Sequence, residues 1–410
     1  MRTIECCRVC GSSELTDVLS LGEVHLSAFI ADGQATVPPK YPLDLLLCAD
    51  CKLVQLRHTV PAEEMYREYW YRSGTNASMT KELQSIAEDA SWFTVHGDIA
   101  LDIGCNDGTL LGAYKSGIRT VGFEPAQNLV EHARKNANTV IGDFFSANAW
   151  RREMGSKRAQ VVTSIAMFYD LDDPNSFVRD VNEVMARDGR WIIQMADLKS
   201  MIERTMWDNI CHEHLEYYSL TALENLLARH SFVVEHVAQN DINGGSIRVR
   251  VAKKGYENMQ ASVGLFREDE QAMLLDTPAP YKAFSARVRE GNRQLVDFIH
   301  AATSEGKTVC VYGASTKGNT LLQCTGLDHT CIKAAAERNP DKWGRFTVGT
   351  GIPILSEQEV RAMKPDYMLV LPWHFLDEFV AREAEYLGGG GKFIVPLPEF
   401  RIVDGRADPP

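Results

Sequence analysis

The sequence predicts an α/β chain in which a small cysteine-bearing module precedes two doubly wound, Rossmann-like units. Two Cys-x-x-Cys pairs fall within the first 51 residues. From about residue 80, short apolar runs alternate with helical lengths of chain, the signature of a parallel sheet with crossover helices. The same alternation resumes after residue 306. At 410 residues the chain exceeds one ordinary domain of roughly 100–200 residues. The expected organisation is a metal-binding module over 1–75, a first α/β domain over 76–255, a helical linker over 256–305 and a second α/β domain over 306–410.

The cysteine pairs are Cys7/Cys10 in CRVCGSS and Cys48/Cys51 in LCADCKLVQL. Each lies in a turn-prone stretch followed by Gly or Lys, so two knuckles can converge on one tetrahedral ion. Four thiolates leave no ligand position open, and the expected metal is a structural Zn2+. Cys6 is read as a bystander. The N-terminal MRTIECCRVCGSSE lacks the apolar stretch of a signal peptide, and no run of about 18 apolar residues occurs. A cytoplasmic protein with reduced thiols is therefore expected. Hydrophobic residues at 45% and charged residues at 24% exclude a largely disordered chain. With 55 acidic against 43 basic side chains the net charge is -12, which argues against nucleic acid or an anionic membrane as partner. A small-molecule substrate and a monomer or small homo-oligomer are expected.

In the first α/β domain, IALDIGCNDGTLL reads as strand, glycine turn and helix start, and TVGFEPAQNLVEHAR repeats strand, acidic turn and helix. VIGDFF, AQVVTSIAM and GRWIIQM supply further strands, and SIRVRVAKK after Gly244-Gly245 closes the domain. The turn from Asp102 through Gly104 to Gly108 can offer backbone N–H groups to a carboxylate or phosphate. Glu124, 22 positions after Asp102, is placed to accept both hydroxyls of a ribose. A dinucleotide site calls for Gly-x-Gly-x-x-Gly, whereas this turn has Gly-x-x-x-Gly with acidic flanks. Asp102 and Asp107 would repel a pyrophosphate and suit the cationic sulfonium and amino groups of S-adenosylmethionine. Asp143 falls where such sheets contact adenine.

Residues 256–305 are rich in Glu, Gln, Arg and Ala, which predicts one or two helices. The second α/β domain then runs through TVCVYGASTKGNTLLQ, IKAAAERNP, YMLVLPWHF and GKFIVPLPEF, with Gly388 to Gly391 as a loop. Its first turn offers backbone N–H groups, Ser315, Thr316 and the ammonium of Lys317, a set that can bind a diphosphate. The alternative is that a helix start with Gly313 and Gly318 only packs on the strand, and without a full Walker A sequence no ATP hydrolysis is inferred. Trp373-His374 and Arg338 to Lys342 fall in later loops of the same domain.

Taken in order, the knuckles, YWYRSGTNASM, DIGCNDGTLL, GFEPA, GDFFS, the HEH triplet, NGGSIR, YGASTKGN and RNPDKWGR resemble the zinc-bearing nucleotide-sugar C-methyltransferases of deoxysugar biosynthesis. The resemblance runs through nearly the whole chain. It implies S-adenosylmethionine in the central domain, with Asn106 and Phe144 joining Asp102, Gly104, Asp107, Glu124 and Asp143 around it. It also implies a thymidine-diphospho-4-keto sugar held partly by the C-terminal domain and methylated at C-3, with Asn243, Ser315, Thr316 and Lys317 as substrate contacts. The family's Glu-His pair maps onto Glu213 and His214, and its active-site tyrosine onto Tyr69 of REYWYRSG. Two positions depart from the pattern: Tyr169 stands where the family has a histidine, and Cys211 where it has a tyrosine.

A carbon beside a ketone becomes nucleophilic only when a base removes its proton, and His214, with an unperturbed pKa of about 6.5, suits that task. Glu213 would orient the imidazole, and Tyr69 or Tyr169 would hold a developing oxyanion or a hydroxyl. His212 and His214 lack the HExxH spacing of a catalytic zinc site. Asp170, Asp172 and Asp173 are read as solvated loop acids. The resulting expectation is an S-adenosylmethionine-dependent methyltransferase acting on the carbon next to the ketone of a nucleotide-activated sugar. The alternatives are O-methylation of a sugar or other polar metabolite, and a non-catalytic binding or scaffold protein on the same fold.

Overall fold

The computed structural model describes residues 1–31, 38–61, 65 and 71–405. The chain forms two compact units, one of residues 1–16, 46–199 and 213–277, the other of residues 17–45, 200–212 and 278–410. Among the described residues no helix is long and apolar enough to cross a membrane.

The first unit carries the knuckles and a twisted sheet. Its strands include β1 (Val54–Leu56), β2 (Ile99–Ile103), β3 (Arg119–Phe123), β4 (Thr139–Ile141), β5 (Ala159–Ile165), β6 (Met185–Ala196), β7 (Glu216–Tyr217), β8 (Phe232–Asn240) and β9 (Ser246–Lys253). Seven of them form one sheet in the order β8-β9-β6-β5-β2-β3-β4. Strands β4, β3, β2, β5 and β6 run parallel, and β9 is antiparallel to both of its neighbours. Every residue of β2 is buried, as an inner strand covered on both faces requires. The chain order reverses between β2 and β5, and such sheets bind ligands at the carboxyl ends of the strands at that point.

Helix placement follows ordinary capping and burial. Asn76 caps Ala77–Ser91 by accepting from the Ser78 and Met79 amides, and Met79, Leu83, Ile86, Ala87 and Ala90 form the buried stripe. Asp173 caps Pro174–Val184 by accepting from Ser176 N at 3.0 Å, with Pro174 at the first helical position. Asp172 pairs with Arg2 and accepts from Thr59 Oγ1 at 3.2 Å. Both acids are exposed in the loop before this helix, as expected, and each also makes a local structural contact. The core centres on Trp191 of β6, whose ring lies 5.5 Å from Phe168 and 5.6 Å from Phe232, and whose indole N–H donates to Ser164 Oγ.

The helical stretch expected over 256–305 forms as two helices, Ala261–Ala272 in one unit and Ala279–Ser304 in the other. The second unit has β10 (Val309–Tyr312), β11 (Ala335–Glu337), β12 (Ile354–Ser356), β13 (Tyr367–Val370), β14 (Lys392–Val395) and β15 (Arg401–Asp404). They pair in the order β12-β11-β10-β13-β14-β15, parallel except for the last. The stretch 17–45 groups with this unit. His25 N donates to Gln323 Oε1 at 2.7 Å, and Phe29–Ala31 pairs antiparallel with Arg345–Thr347.

Candidate active site

The four knuckle cysteines converge. Cys7 Sγ lies 3.4 Å from Cys51 Sγ, Cys10 Sγ lies 3.4 Å from Cys48 Sγ, and all four sulfurs fall within 4.8 Å of one another. A tetrahedron with Zn–S bonds of about 2.3 Å needs sulfurs about 3.8 Å apart, so the donor set fits zinc. Positive φ at Gly11 (76°) and Lys52 (66°) turns the chain directly after each pair, and at Gly11 that conformation favours glycine. Asn175 donates to the Arg8 and Val9 carbonyls and Asn225 to the Cys51 carbonyl, which bolts both knuckles to the sheet's helices. Cys6 is exposed and outside the cluster.

The turn after β2 has the shape that a cofactor needs. Gly104 takes φ of 73°, and a Cβ there would stand 3.1 Å from Met167 Cγ, so both conformation and space require glycine. Thr163 Oγ1 donates to Asp102 Oδ1 at 2.6 Å. Asn106 N donates to Glu124 Oε2 and Ala126 N to Glu124 Oε1, each at 2.8 Å. Each carboxylate oxygen keeps a further lone pair, which allows it to accept a ribose hydroxyl as well. Asn106 Oδ1 accepts from Ser73 N and Asp107 Oδ2 from Gly74 N, tying the turn to the segment just before the first helix. Asp143 and Phe144 follow β4 and are exposed, with Asp143 Oδ1 accepting from Phe144 N.

Burial pushes the Asp102 and Glu124 carboxyls up to about 7. Only the ionised forms attract a cationic ligand, and they accept from hydroxyls more strongly than the neutral acids do. S-adenosylmethionine affinity is therefore expected to hold above pH 7 and to fall below it, by up to about tenfold per pH unit for each proton released on binding. Calorimetry at several pH values checks this, and a flat profile contradicts it. Glu124→Ala is expected to weaken binding by about 1.5–3 kcal/mol, the range for a hydrogen bond to a charged group.

The HEH segment meets the loop after β5. His214 and Tyr169 are both buried, with ring centroids 4.4 Å apart. Leu215 N donates to the Tyr169 carbonyl and Leu56 N to the Leu215 carbonyl, each at 2.8 Å, and Glu216 pairs with Gln55 across β7 and β1. Glu213 is half-buried. His212 points elsewhere: its Nε2–H donates to the Tyr41 carbonyl at 3.0 Å. Met167, Phe168 and Tyr169 are consecutive, so the residue packed over Gly104 and the residue packed on His214 belong to one loop. Cys211 is buried, and Tyr69 lies outside the described residues. Asn243, half-buried, takes a left-handed φ of 55° in the turn before β9.

In the second unit, Ser315 caps the helix Thr316–Thr325 by accepting from Gly318 N at 3.0 Å, and Thr316 is its first residue. Lys317 Nζ donates to Asn209 Oδ1 at 2.5 Å. Trp373 Nε1 donates to Asp208 Oδ2 at 2.9 Å, so one short turn, Trp207–Asn209, meets the loops after both β10 and β13. Those loops flank the point where this sheet reverses its strand order. Arg338 is exposed and Lys342 is buried, its ammonium donating to the Ala314 carbonyl.

With a cofactor turn, a buried imidazole and a four-thiolate centre in place, comparison with known proteins defines the class. Residues 7–66 match a zinc binding domain, 71–237 a methyltransferase domain and 241–398 the C-methyltransferase C-terminal domain. Together these matches identify an S-adenosylmethionine-dependent methyltransferase with a zinc-binding domain and a C-methyltransferase C-terminal domain. It is 29% identical to the C-methyltransferase NovU of Streptomyces niveus over 99% of each chain. Among solved structures, the plantazolicin methyltransferase BpumL with S-adenosylhomocysteine is 14% identical, over 43% of this chain and 84% of that one, with a TM-score of 0.34. The magnesium protoporphyrin IX methyltransferase ChlM of Synechocystis PCC 6803 with bound S-adenosylmethionine is 11% identical, over 46% and 86%, with a TM-score of 0.33.

Proposed function

We propose that this methyltransferase forms a new carbon–carbon bond at the carbon next to the ketone of a nucleotide-activated 4-keto sugar. The observation that carries the reading is the single loop Met167–Tyr169, which packs over Gly104 of the cofactor turn at one end and on the His214 ring at the other. On this reading the arrangement supports His214 as a base beside the position of a bound methyl donor. S-adenosylmethionine supplies an electrophilic methyl group on a sulfonium.

His214 takes the proton from the α-carbon, and the C–H electron pair passes into the enolate. Glu213 orients the imidazole, and Tyr169 fixes its plane by ring packing. The enolate carbon then forms its bond to the methyl carbon as the S–CH3 bond breaks, which restores the ketone and leaves S-adenosylhomocysteine. Asp102, Asn106, Asp107 and Glu124 hold the donor, with Asp143 and Phe144 at the adenine end. Ser315, Thr316 and Lys317 receive the diphosphate, Lys317 exchanging Asn209 for a phosphate oxygen, and Asn243 contacts the sugar. Zinc at Cys7, Cys10, Cys48 and Cys51 is structural.

Incubation with methyl-labelled S-adenosylmethionine and a panel of nucleotide sugars, with and without a 4-keto group, tests the reading. A new C–CH3 resonance on a keto substrate is expected. Label recovered only as a methyl ether would replace the reading with O-methylation, and no transfer to any member would remove the substrate class.

A further inference from the structure

The stretch from Cys211 to His214 has the spacing of a further knuckle. Two residues separate Cys211 from His214, as they separate Cys7 from Cys10 and Cys48 from Cys51, with an imidazole in place of the second thiol. His212 and Glu213 form a turn between them. In this turn the Cys211 sulfur, a Glu213 carboxylate oxygen and a His214 ring nitrogen lie within 4.8 Å of one another. Among the described residues, only the four knuckle cysteines form another such cluster of donors. A tetrahedral Zn2+ with bonds of about 2.3 Å to sulfur and about 2.0–2.2 Å to nitrogen and oxygen holds its donors about 3.4–3.6 Å apart, so a shift of about 1 Å closes the set.

The donor types select the cation. A thiolate and an imidazole favour Zn2+, and its probes Co2+ and Cd2+, over Mg2+ and Ca2+, which take oxygen ligands. Thiolate and carboxylate together cancel the two charges of the ion, which suits a place where Cys211 is 4% and His214 6% exposed. Glu213 is half-buried and is the donor nearest to solvent. The His212 ring is turned to the Tyr41 carbonyl, so three protein ligands leave the fourth position to water, unlike the closed four-thiolate centre.

Cys211 is also a position at which this chain departs from the pattern it resembles, which has a tyrosine there. A phenol is a far poorer ligand for such an ion than a thiolate, and the donor set is therefore a property of this sequence rather than of that pattern.

We propose that Cys211, Glu213 and His214 form a second, exchangeable site for a thiophilic divalent cation such as Zn2+, and that the bound cation switches the enzyme off by occupying the lone pair with which His214 takes a proton. Binding releases the Cys211 thiol proton to solvent and keeps the imidazole neutral. The inhibitory half of this inference rests on the function proposed above; the metal site does not.

The test uses the dialysed full chain, which keeps its structural zinc, and the variants Cys211→Ser and Cys211→Ala. Added Co2+ should give the wild type a thiolate-to-cobalt charge-transfer band and tetrahedral ligand-field bands that neither variant shows, with the structural zinc still present by elemental analysis. Identical spectra in all three proteins would overturn the site. A second measurement needs no variant: added cadmium should give the wild type a cadmium resonance coupled to the Cys211 β-protons and the His214 ring, and absence of that coupling counts against the site. Zinc should reversibly inhibit methyl transfer by the wild type, with activity restored by a chelator too weak to strip the four cysteines. In Cys211→Ser basal turnover should stand, and the inhibiting zinc concentration should rise by more than about 100-fold, beyond the usual effect of losing an outer-shell partner. Equal inhibition of wild type and variant, or full activity with cobalt in the site, would overturn the switch. Should the wild type fail to act on any keto sugar, the cobalt and cadmium measurements still decide the site.

Discussion

His214→Asn is expected to lower turnover by about 10²–10⁴-fold, the usual contribution of a general base, while S-adenosylmethionine binds as to the wild type. Asparagine keeps a polar side chain in the buried site beside Tyr169 but cannot accept a proton at neutral pH. The cofactor groups, from Asp102 to Glu124, do not include His214, so the two effects separate. Single-turnover transfer of labelled methyl gives the rate and calorimetry the affinity. Turnover within tenfold of wild type would move the base to another residue. His212→Asn is the matched control, because the His212 ring is already engaged with the Tyr41 carbonyl.

Removing the metal is expected to cost more than any single side chain. Structural zinc in isolated fingers contributes about 10–16 kcal/mol of apparent binding energy at neutral pH, and here it gathers four cysteines from two segments of chain. Cys48→Ser should leave less than one zinc per chain by elemental analysis and should lower the unfolding temperature. Loss of activity should follow loss of fold, because β1 begins three residues after Cys51 and carries the residue that holds Leu215. One zinc per chain is expected in the wild type. A metal-free preparation of full stability and activity would contradict a structural role.

Local chemistry made much of this architecture legible. Cys-x-x-Cys spacing reveals a knuckle because three covalent links fix its geometry, and strand, glycine turn and acid reveal the β2 site because all lie within 22 residues. Long-range partners carry no such signal. His25 meets Gln323 across 298 positions, and so residues 17–45 group with the C-terminal unit despite lying between the cysteine pairs. Lys317 meets Asn209 across 108 positions, and nothing in YGASTKGN reveals that its ammonium is engaged. Asp172 and Asp173 are exposed loop acids as read, but their partners Arg2, Thr59 and the Ser176 amide were not legible in the sequence. His214 was legible from the resemblance, but the different surroundings of the two histidines were not: His212 donates to the Tyr41 carbonyl and His214 packs on Tyr169.

The central claim, that His214 generates a carbon nucleophile next to a ketone, is tested most directly by proton exchange without methyl transfer. The wild-type protein, with S-adenosylhomocysteine bound, is placed in deuterium oxide with a nucleotide-activated 4-keto sugar, and the α-proton is followed by NMR. The account predicts loss of that signal with wild type and its retention with His214→Asn. Equal exchange in both proteins would contradict the role of His214, and active methylation with no exchange in the wild type would contradict the enolate itself.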